Sequence, residues 1–318
     1  MDLYDLGEVS WWESQCFYHA MAYLGREGVI LCYPSSPYVC LGLHDDLDQE
    51  INREYCERQS IPLFRRETGG GVVYLDNRQV FFQLVMRRDN PCLPLRRTRY
   101  YEQFLQPAIS AYRYFGLPAK LKPPADIAAE GRKCSGNASG DIGMCTAYVG
   151  NILLDFDYTI MSNILKVPNS QFREYLRQAM QSNMTTLKDW VNFPVAYADI
   201  AALLVEGFKR QWGDLEARTP DHEIINKAKE IYMRMSAEEW LEMPGRKNSE
   251  RKIKIAEDVF LLERKMGSDR SLVVLLRNGK VDQIQIYNKS NSFPSRVDSL
   301  IGCEWNEELL TGITGEAT

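Results

Sequence analysis

Two stretches of the sequence combine residue types that could bind an anionic group. In the first, RRETGGGVVYLD, a pair of arginines is followed by Gly69, Gly70 and Gly71 and then by a β-prone run. Each glycine weakens a helix or strand by roughly 0.5–1 kcal/mol, so the three favour a backbone that a ligand approaches closely. Bare N–H groups in such a loop form a nest for phosphate or carboxylate oxygens. A flexible hairpin connection is the alternative explanation.

In the second stretch, GRKCSGNAS, Lys133 lies between an arginine and a Cys-Ser-Gly-Asn turn, and Asp126 precedes it by seven residues. A lysine beside a developing phosphate charge stabilises it by roughly 4 kcal/mol at 4 Å and an effective dielectric constant of 20. A solvated loop lysine is the alternative, and spacing alone does not decide. The sequence contains neither GxxxxGK[ST] nor GxGxxG, so neither common nucleotide-binding fold is indicated.

The elements around these stretches predict a mixed α/β part followed by a small α+β part. Apolar residues at helical spacing, or in short β-prone runs, define the elements. The predicted helices are 13–25, 46–59, 101–115, 169–180, 196–212 and 224–235, with short ones near 295–302 and 306–310. The predicted strands are 28–33, 38–43, 62–66, 72–75, 80–86, 148–157, 252–266 and 271–287. We expect hairpin turns at Asn77-Arg78 and at Asn278-Gly279.

Composition excludes several classes of function. The net charge of −5 and the pI near 5.5 argue against a nucleic-acid partner. The apolar runs, such as 80–86, are too short to span a bilayer, and the acidic first residues do not resemble a signal peptide. We therefore expect a cytoplasmic protein without a membrane partner. Eight cysteines without a CxxC pair, and three histidines, do not favour a metal-thiolate site.

RRETGGGVVYLD, DIAAEGRKCSGNA and VGNILLDFD together resemble the signature of the lipoate–protein ligase family. That family typically has RRxxGGGxVxHD, a GRKxSGxA segment and an HGxxLLDxD strand, in this order. The resemblance implies an α/β (α+β) fold with a biotin/lipoate-ligase-like catalytic domain, a mixed sheet with flanking helices like that of class II synthetases, and a small α+β C-terminal domain. It places the catalytic domain at 1–212 and the accessory domain at 221–318, and the polar, turn-rich residues 213–220 between them predict a hinge-like linker.

The resemblance also implies roles for residues of both stretches. Arg66, Gly69, Gly70 and Gly71 would line a lipoyl pocket and contact an acyl-phosphate. Lys133 would bind the carbonyl and phosphate oxygens of an acyl-adenylate and favour attack by an acceptor lysine.

Three further residues, a substrate and its cofactors follow from the resemblance. Gly136 and Ala138 would allow close backbone approach to the ligand, and Asp126 would lie near the adenylate and its magnesium ion. The implied reaction activates lipoate with ATP and Mg²⁺. The lipoyl group then passes to a lysine of a carrier protein, such as a lipoate-binding protein of sulfur oxidation that is similar to glycine-cleavage H protein.

The sequence departs from the family pattern where the family has two histidines, at Leu75 and Val149. Positioning and electrostatics would then have to promote the reaction without a histidine base. One alternative is an octanoyltransferase of the same fold with a cysteine thioester, for which Cys134 and Cys145 are the nearest candidates. Another is a non-catalytic acyl-binding relative. The C-terminal domain favours the ATP-dependent ligase, because the transferases lack it.

Overall fold

The computed structural model describes residues 1–94, 96–247, 250–266, 270–288, 291–296 and 298–306. The helices are α1 (Glu13–Tyr23), α2 (Leu47–Glu50), α3 (Arg53–Arg58), α4 (Arg97–Phe104), α5 (Gln106–Tyr114), α6 (Tyr158–Ile164), α7 (Ser170–Asn183), α8 (Tyr197–Trp212), α9 (His222–Met235) and α10 (Glu238–Leu241). None of the described helices is both long and apolar enough to cross a membrane.

Seventeen strands complete the described secondary structure, with 3₁₀ turns at Leu187–Asp189 and Asp298–Leu300. The strands are β1 (Asp2–Val9), β2 (Gly28–Pro34), β3 (Tyr38–Leu41), β4 (Leu63–Arg65), β5 (Val73–Leu75), β6 (Gln79–Arg87), β7 (Lys120–Lys122), β8 (Asp126–Ala129), β9 (Arg132–Ser135), β10 (Asn137–Ile142), β11 (Cys145–Leu153), β12 (Glu216–Ala217), β13 (Arg251–Ala256), β14 (Val259–Met266), β15 (Arg270–Arg277), β16 (Lys280–Asn288) and β17 (Asn291–Arg296).

The chain forms two compact units. Residues 1–166 and 184–246 form the first, and residues 167–183 and 247–318 form the second. The unit boundary at 246 and 247 lies beyond the predicted linker. Within that linker, β12 pairs with β1 and extends a sheet, so residues 216 and 217 are fixed by backbone hydrogen bonds. The proposed division of function between 1–212 and 221–318 stays a prediction.

A six-stranded mixed sheet in the order β10-β11-β6-β2-β1-β12 organises the first unit. Strand β6 is buried on both faces because its side chains alternate between two cores. Phe82 and Leu84 point to the core that includes residues of α5 and α8, whereas Phe81 and Val85 point to the core that includes residues of α1 and α9. Two three-stranded sheets, β4-β3-β5 and β7-β8-β9, carry the two motif stretches.

The second unit combines α7 with a five-stranded antiparallel sheet in the order β13-β14-β15-β16-β17. The predicted turn at Asn278-Gly279 is confirmed, since both residues have positive φ, 52° and 75°. Residues 291–296 form a strand and 298–300 a 3₁₀ turn where a short helix was predicted. The helix predicted at 306–310 lies outside the described residues apart from residue 306.

The mixed α/β class predicted from the sequence is confirmed, but three further local predictions are wrong. Residues 72–75 do not form a hairpin with 80–86, because β5 pairs with β3 while β6 has β2 and β11 on its two edges. The helix predicted at 46–59 is two short helices, broken where Ile51 is extended and Asn52 caps the second. The helix predicted at 101–115 is also two, with Pro107 in the first turn of the second.

Candidate functional site

The glycine loop, residues 67–71, connects β4 to β5 and is held by Arg66. The Arg66 Nε and Nη2 atoms donate to the carbonyl oxygen of Gly69 at 3.3 and 2.8 Å, and Nη2 also donates to that of Gly71 at 2.9 Å. Nη1 donates to the carbonyl oxygen and the Sγ of Cys40 at 3.1 and 3.6 Å. These contacts occupy all five N–H groups of a guanidinium, so Arg66 positions the loop in this arrangement, and its predicted contact with an acyl-phosphate stays a prediction.

Two of the three glycines border open space. Among the described residues, no heavy atom beyond the immediate chain neighbours lies within 4 Å of a Cβ built on Gly69 or Gly71. Gly70 differs because its φ is 95° and its Cβ would lie 2.9 Å from Arg66 Nη2. Gly42, which the sequence analysis did not select, lies behind the loop, and its Cβ would lie 1.9 Å from the Gly70 carbonyl oxygen.

Lys133 lies on β9, and its Nζ forms a 2.8 Å ion pair with Oδ1 of Asp126 on the neighbouring strand β8. The Asp126 side chain is 6% exposed and that of Lys133 20%. The ammonium group is therefore largely withdrawn from water and held by the carboxylate. Such a cation interacts with a nearby anion more strongly than a surface lysine does, because the surrounding dielectric is lower.

A chain of buried hydrogen bonds connects the lysine stretch to the strand that follows the glycine loop. The Gly136 N–H donates to Asn151 Oδ1 at 2.7 Å, and Asn151 Nδ2 donates to Gln79 Oε1 at 2.7 Å. Gln79 Nε2 in turn donates to the carbonyl oxygen of Tyr74 at 3.1 Å. Asn151 and Gln79 were missed in the sequence, because neither residue type at its position indicates such a bridge.

Strand β10 also connects the two stretches. Gly136 precedes it, and Gly140 lies under Thr68 of the glycine loop, where a Cβ would approach Thr68 Cγ2 to 3.1 Å. Four residues of strand span about 13 Å, which gives the length of the surface between the lysine stretch and the glycine loop. Ala138 lies midway and is paired with Val149, which is paired with Gln83 on β6.

Two buried oxygens beside this surface have no hydrogen-bond partner within the described ranges, namely Thr68 Oγ1 and Gln83 Oε1. A buried polar atom without a partner costs about 1–3 kcal/mol. Thr68 belongs to the glycine loop, and Gln83 shares the sheet face of Ala138. Neither atom is exposed to solvent, so both are unsatisfied polar atoms inside the protein next to this surface.

His19 of α1 supports the glycine loop from behind. Its Nε2 accepts the Glu67 N–H at 3.4 Å, and its Nδ1 lies 2.7 Å from the Gln15 carbonyl oxygen. The ring is fully buried, and this desolvation lowers its pKa from 6.5 to about 3. The ring is therefore neutral near pH 7, with the proton on Nδ1, and acts as a structural acceptor.

The two positions at which the sequence departs from the family pattern are apolar in the structure as well. Leu75 is buried in the core that contains Tyr38 and Phe64, and Val149 packs against the same core. The cysteines weighed as nucleophiles are buried, and desolvation raises the pKa of Cys134 to about 12 and that of Cys145 to about 11. A thiol with such a pKa is almost entirely protonated at neutral pH and is a poor nucleophile.

Asp126 is the residue that the sequence proposes for magnesium. No group of three or more potential metal ligands occurs among the residues described. Mg²⁺ is often bound through one or two carboxylates together with substrate phosphates. The Asp126 carboxylate is 6% exposed and paired with Lys133, and its contact with magnesium stays a prediction.

The structure thus brings Lys133 and Asp126 together and connects their segment to the glycine loop through Asn151 and β10. The ligand contacts predicted for Gly69, Gly70, Gly71, Gly136 and Ala138 stay predictions.

Comparison with known proteins gives a family match over most of this region. The family model of the lipoyl protein ligase A/B catalytic domain matches residues 12–209. Among curated relatives, Lipoate–protein ligase 1 of Staphylococcus aureus is 23% identical over 57% of this chain and 54% of its own length. Lipoate-protein ligase A subunit 1 of Thermoplasma acidophilum is 24% identical over 71% of this chain and 88% of its own length. Octanoyltransferase LipM of Geobacillus kaustophilus is 22% identical over 55% of this chain and 70% of its own length. The chain thus matches about half of the first relative.

Two solved structures show the same fold. A bi-partite lipoate protein ligase from T. acidophilum has a TM-score of 0.68 at 22% identity, covering 78% of this chain and 98% of its own. Lipoate-protein ligase A bound with ATP has a TM-score of 0.62 at 22% identity, covering 76% and 98%. The predicted biotin/lipoate-ligase type of catalytic fold is confirmed by these neighbours.

Proposed function

The chain belongs to the lipoyl protein ligase A/B catalytic domain family, and on this premise we propose that it is an ATP-dependent lipoate–protein ligase. A lipoate carboxylate oxygen attacks the α-phosphorus of ATP, and pyrophosphate leaves. The amine of an acceptor lysine then attacks the carbonyl carbon of the lipoyl-adenylate. AMP leaves with the anhydride oxygen, and the amine loses a proton as the amide forms.

The Lys133–Asp126 ion pair is the observation on which this proposal depends. Charge develops on the phosphate oxygens in the first step and on the carbonyl oxygen in the second. A cation fixed in a site of low exposure stabilises both charges without reorganising at the moment of reaction. Asp126 keeps the Lys133 ammonium in place at 2.8 Å. A non-catalytic acyl-binding protein would have little use for such a pair.

The glycine loop and β10 offer a surface for the acyl chain and the phosphate. Open space at Gly69 and Gly71 allows a ligand to reach the backbone. An acyl chain with about six buried methylenes contributes on the order of 5 kcal/mol to binding. A magnesium ion held by Asp126 and the phosphates would neutralise part of the triphosphate charge.

The occurrence of ligases and octanoyltransferases among the relatives makes the transferase the second candidate. It would transfer octanoate from a carrier protein through a cysteine thioester and would not need ATP. Burial of Cys134 and Cys145 speaks for the ligase, because a thioester nucleophile must be reached by its substrate. That relatives are crystallised with ATP and with lipoic acid agrees with ATP-dependent activation.

The deciding experiment is incubation of the protein with a lipoyl domain, lipoate and ATP, followed by intact-mass measurement of the domain. We expect the domain to gain one lipoyl group only when both lipoate and ATP are present. Matched reactions replace ATP by its α,β-methylene analogue, whose bond between the α- and β-phosphates cannot be cleaved in this step, or lipoate and ATP by octanoyl-carrier protein. A mass gain with octanoyl-carrier protein and without ATP would identify the transferase. No mass gain in any of the reactions would favour the non-catalytic acyl-binding protein.

A further inference from the structure

The segment of residues 234–246, which follows the family-matched region, packs on the glycine loop. We propose that Trp240 and Arg234 are positioning residues of the ligation site, because their contacts hold this loop in place although neither residue belongs to the family-matched region 12–209. We call these contacts of the segment with the loop the clamp. The clamp itself is independent of the reaction, but its effect on ligation depends on the proposed function.

Arg65 makes the first contact of the clamp. Its side chain is fully buried, and Nη2 and Nε donate to the Leu241 carbonyl oxygen at 2.6 and 3.1 Å. Nη1 donates to the Asp45 carbonyl oxygen at 2.6 Å, on the loop that carries Gly42. The Arg65 carbonyl oxygen accepts the Trp240 indole N–H at 2.9 Å. Arg65 therefore both donates hydrogen bonds to the segment and accepts one from it. It directly precedes Arg66, whose side chain holds the glycine loop.

Arg234 makes the second contact. Its Nη2 lies 3.2 Å from Glu67 Oε1, and the same carboxylate oxygen accepts the Tyr23 hydroxyl at 2.6 Å. The Arg234 guanidinium lies 5.1 Å from the centre of the Tyr23 ring and 5.4 Å from that of Trp240. The Glu67 side chain is 15% exposed and that of Arg234 44%, so only the carboxylate partner of this ion pair is largely withdrawn from solvent.

The third contact is steric. The Cβ of a residue larger than glycine at position 245 would lie 2.2 Å from the Asp46 N atom, and the Arg246 N–H donates to the His44 carbonyl oxygen at 2.8 Å. Residues 42–46 are thus pressed between the segment and the glycine loop, where Gly42 contacts Gly70. The segment and both loops form one packed layer, so a shift of the segment shifts the loop.

The test compares Trp240→Phe and Arg234→Met with Arg26→Met as a matched control. Trp240→Phe keeps a ring under Arg234 but removes the bond to Arg65. Arg26 pairs with Asp221 and Glu223 at the opposite end of α9, so its loss removes a comparable exposed ion pair away from the loop. Amide hydrogen exchange is measured at Leu43, Arg66 and Glu67, whose N–H groups bond to Thr68, Leu41 and His19 in and beside the layer.

We expect exchange at these three amides to be roughly fivefold faster in Trp240→Phe and Arg234→Met, with the urea midpoint close to that of the wild type and no change in Arg26→Met. In both clamp variants the KM for lipoate should rise by a larger factor than kcat falls. Arg234→Lys, which keeps the positive charge, should have a KM closer to that of the wild type than Arg234→Met. Unchanged exchange in both clamp variants, or equal acceleration in Arg26→Met, would overturn the proposal. Faster exchange in a protein without ATP-dependent ligation would instead contradict the proposed function and leave the clamp intact.

Discussion

Replacing Lys133 by methionine tests the electrostatic basis of the proposed reaction. Methionine keeps most of the side-chain volume and removes the charge. A cation about 4 Å from a developing anionic charge contributes roughly 4 kcal/mol at an effective dielectric constant of 20. Since each 1.36 kcal/mol is a factor of ten in rate, we expect activation to slow by about a thousandfold in Lys133→Met.

The same substitution also affects stability. Asp126, whose side chain is 6% exposed, loses its 2.8 Å ammonium partner, and breaking a buried ion pair costs about 3–5 kcal/mol. Because the Lys133 side chain retains 20% exposure, we expect about 2 kcal/mol here. The double variant Asp126→Asn/Lys133→Met removes both charges and should regain most of this stability.

Two measurements separate the effects. Lipoate-dependent exchange of pyrophosphate into ATP reports the activation step, and urea unfolding reports stability under the same conditions. The double variant should be as stable as the wild type within about 1 kcal/mol and remain inactive. If folded Lys133→Met retains more than a tenth of the wild-type exchange rate, Lys133 is not the electrostatic centre of the site.

Three further predictions concern the surroundings of the site. Gly69→Ala should leave the urea midpoint unchanged, since no described neighbour contacts the added Cβ. The methyl group should weaken lipoate binding at least about tenfold, because it occupies space that the ligand needs. Equal lipoate affinity of the variant and the wild type in a titration would argue against the loop as a binding surface. Cys134→Ala should keep ligation within a few-fold of the wild type, and loss of transfer in a folded variant would favour the thioester mechanism. The pKa of His19 is lowered to about 3 in the folded state, so as pH drops the unfolded chain binds a proton on His19 before the folded protein does. The free energy of unfolding should therefore fall between about pH 6.5 and 3, by up to about 1.4 kcal/mol per pH unit. His19→Gln should flatten that dependence in urea titrations, and an unchanged slope would show that other groups cause it.

The candidate site was selected from local chemistry together with the family resemblance. Three adjacent glycines and a lysine in a glycine-punctuated stretch singled out the two segments, whereas spacing alone left a flexible connection and a solvated lysine as alternatives. The Asp126–Lys133 pair was within reach as well, because the two residues lie on neighbouring strands of one short hairpin. The partner of β5 could not be predicted, since an antiparallel pair with β3 and one with β6 would bury Tyr74 and Leu75 equally well.

Contacts between distant parts of the chain carried no sequence signal. Arg65 looks like half of an arginine pair, and nothing near it indicates that its guanidinium bonds to Leu241, 176 residues later. The ligand contact predicted for Arg66 came from the family resemblance. The contacts of its five donors with backbone oxygens and Cys40 had no sequence signal, because only the folded loop brings these acceptors around the guanidinium.

The position of helix α7 in the sequence affects how the chain folds during synthesis and where it can be cut to separate the two units. It lies between two segments of the first unit in the sequence but packs with β13 and β14 in the second. Its apolar face, with Phe172 and Leu176 buried, has no cover until the ribosome has made about seventy more residues. A version shortened at residue 246 would leave that face bare and invite aggregation. Separating the two units therefore requires removing 167–183 as well and rejoining the chain across the gap.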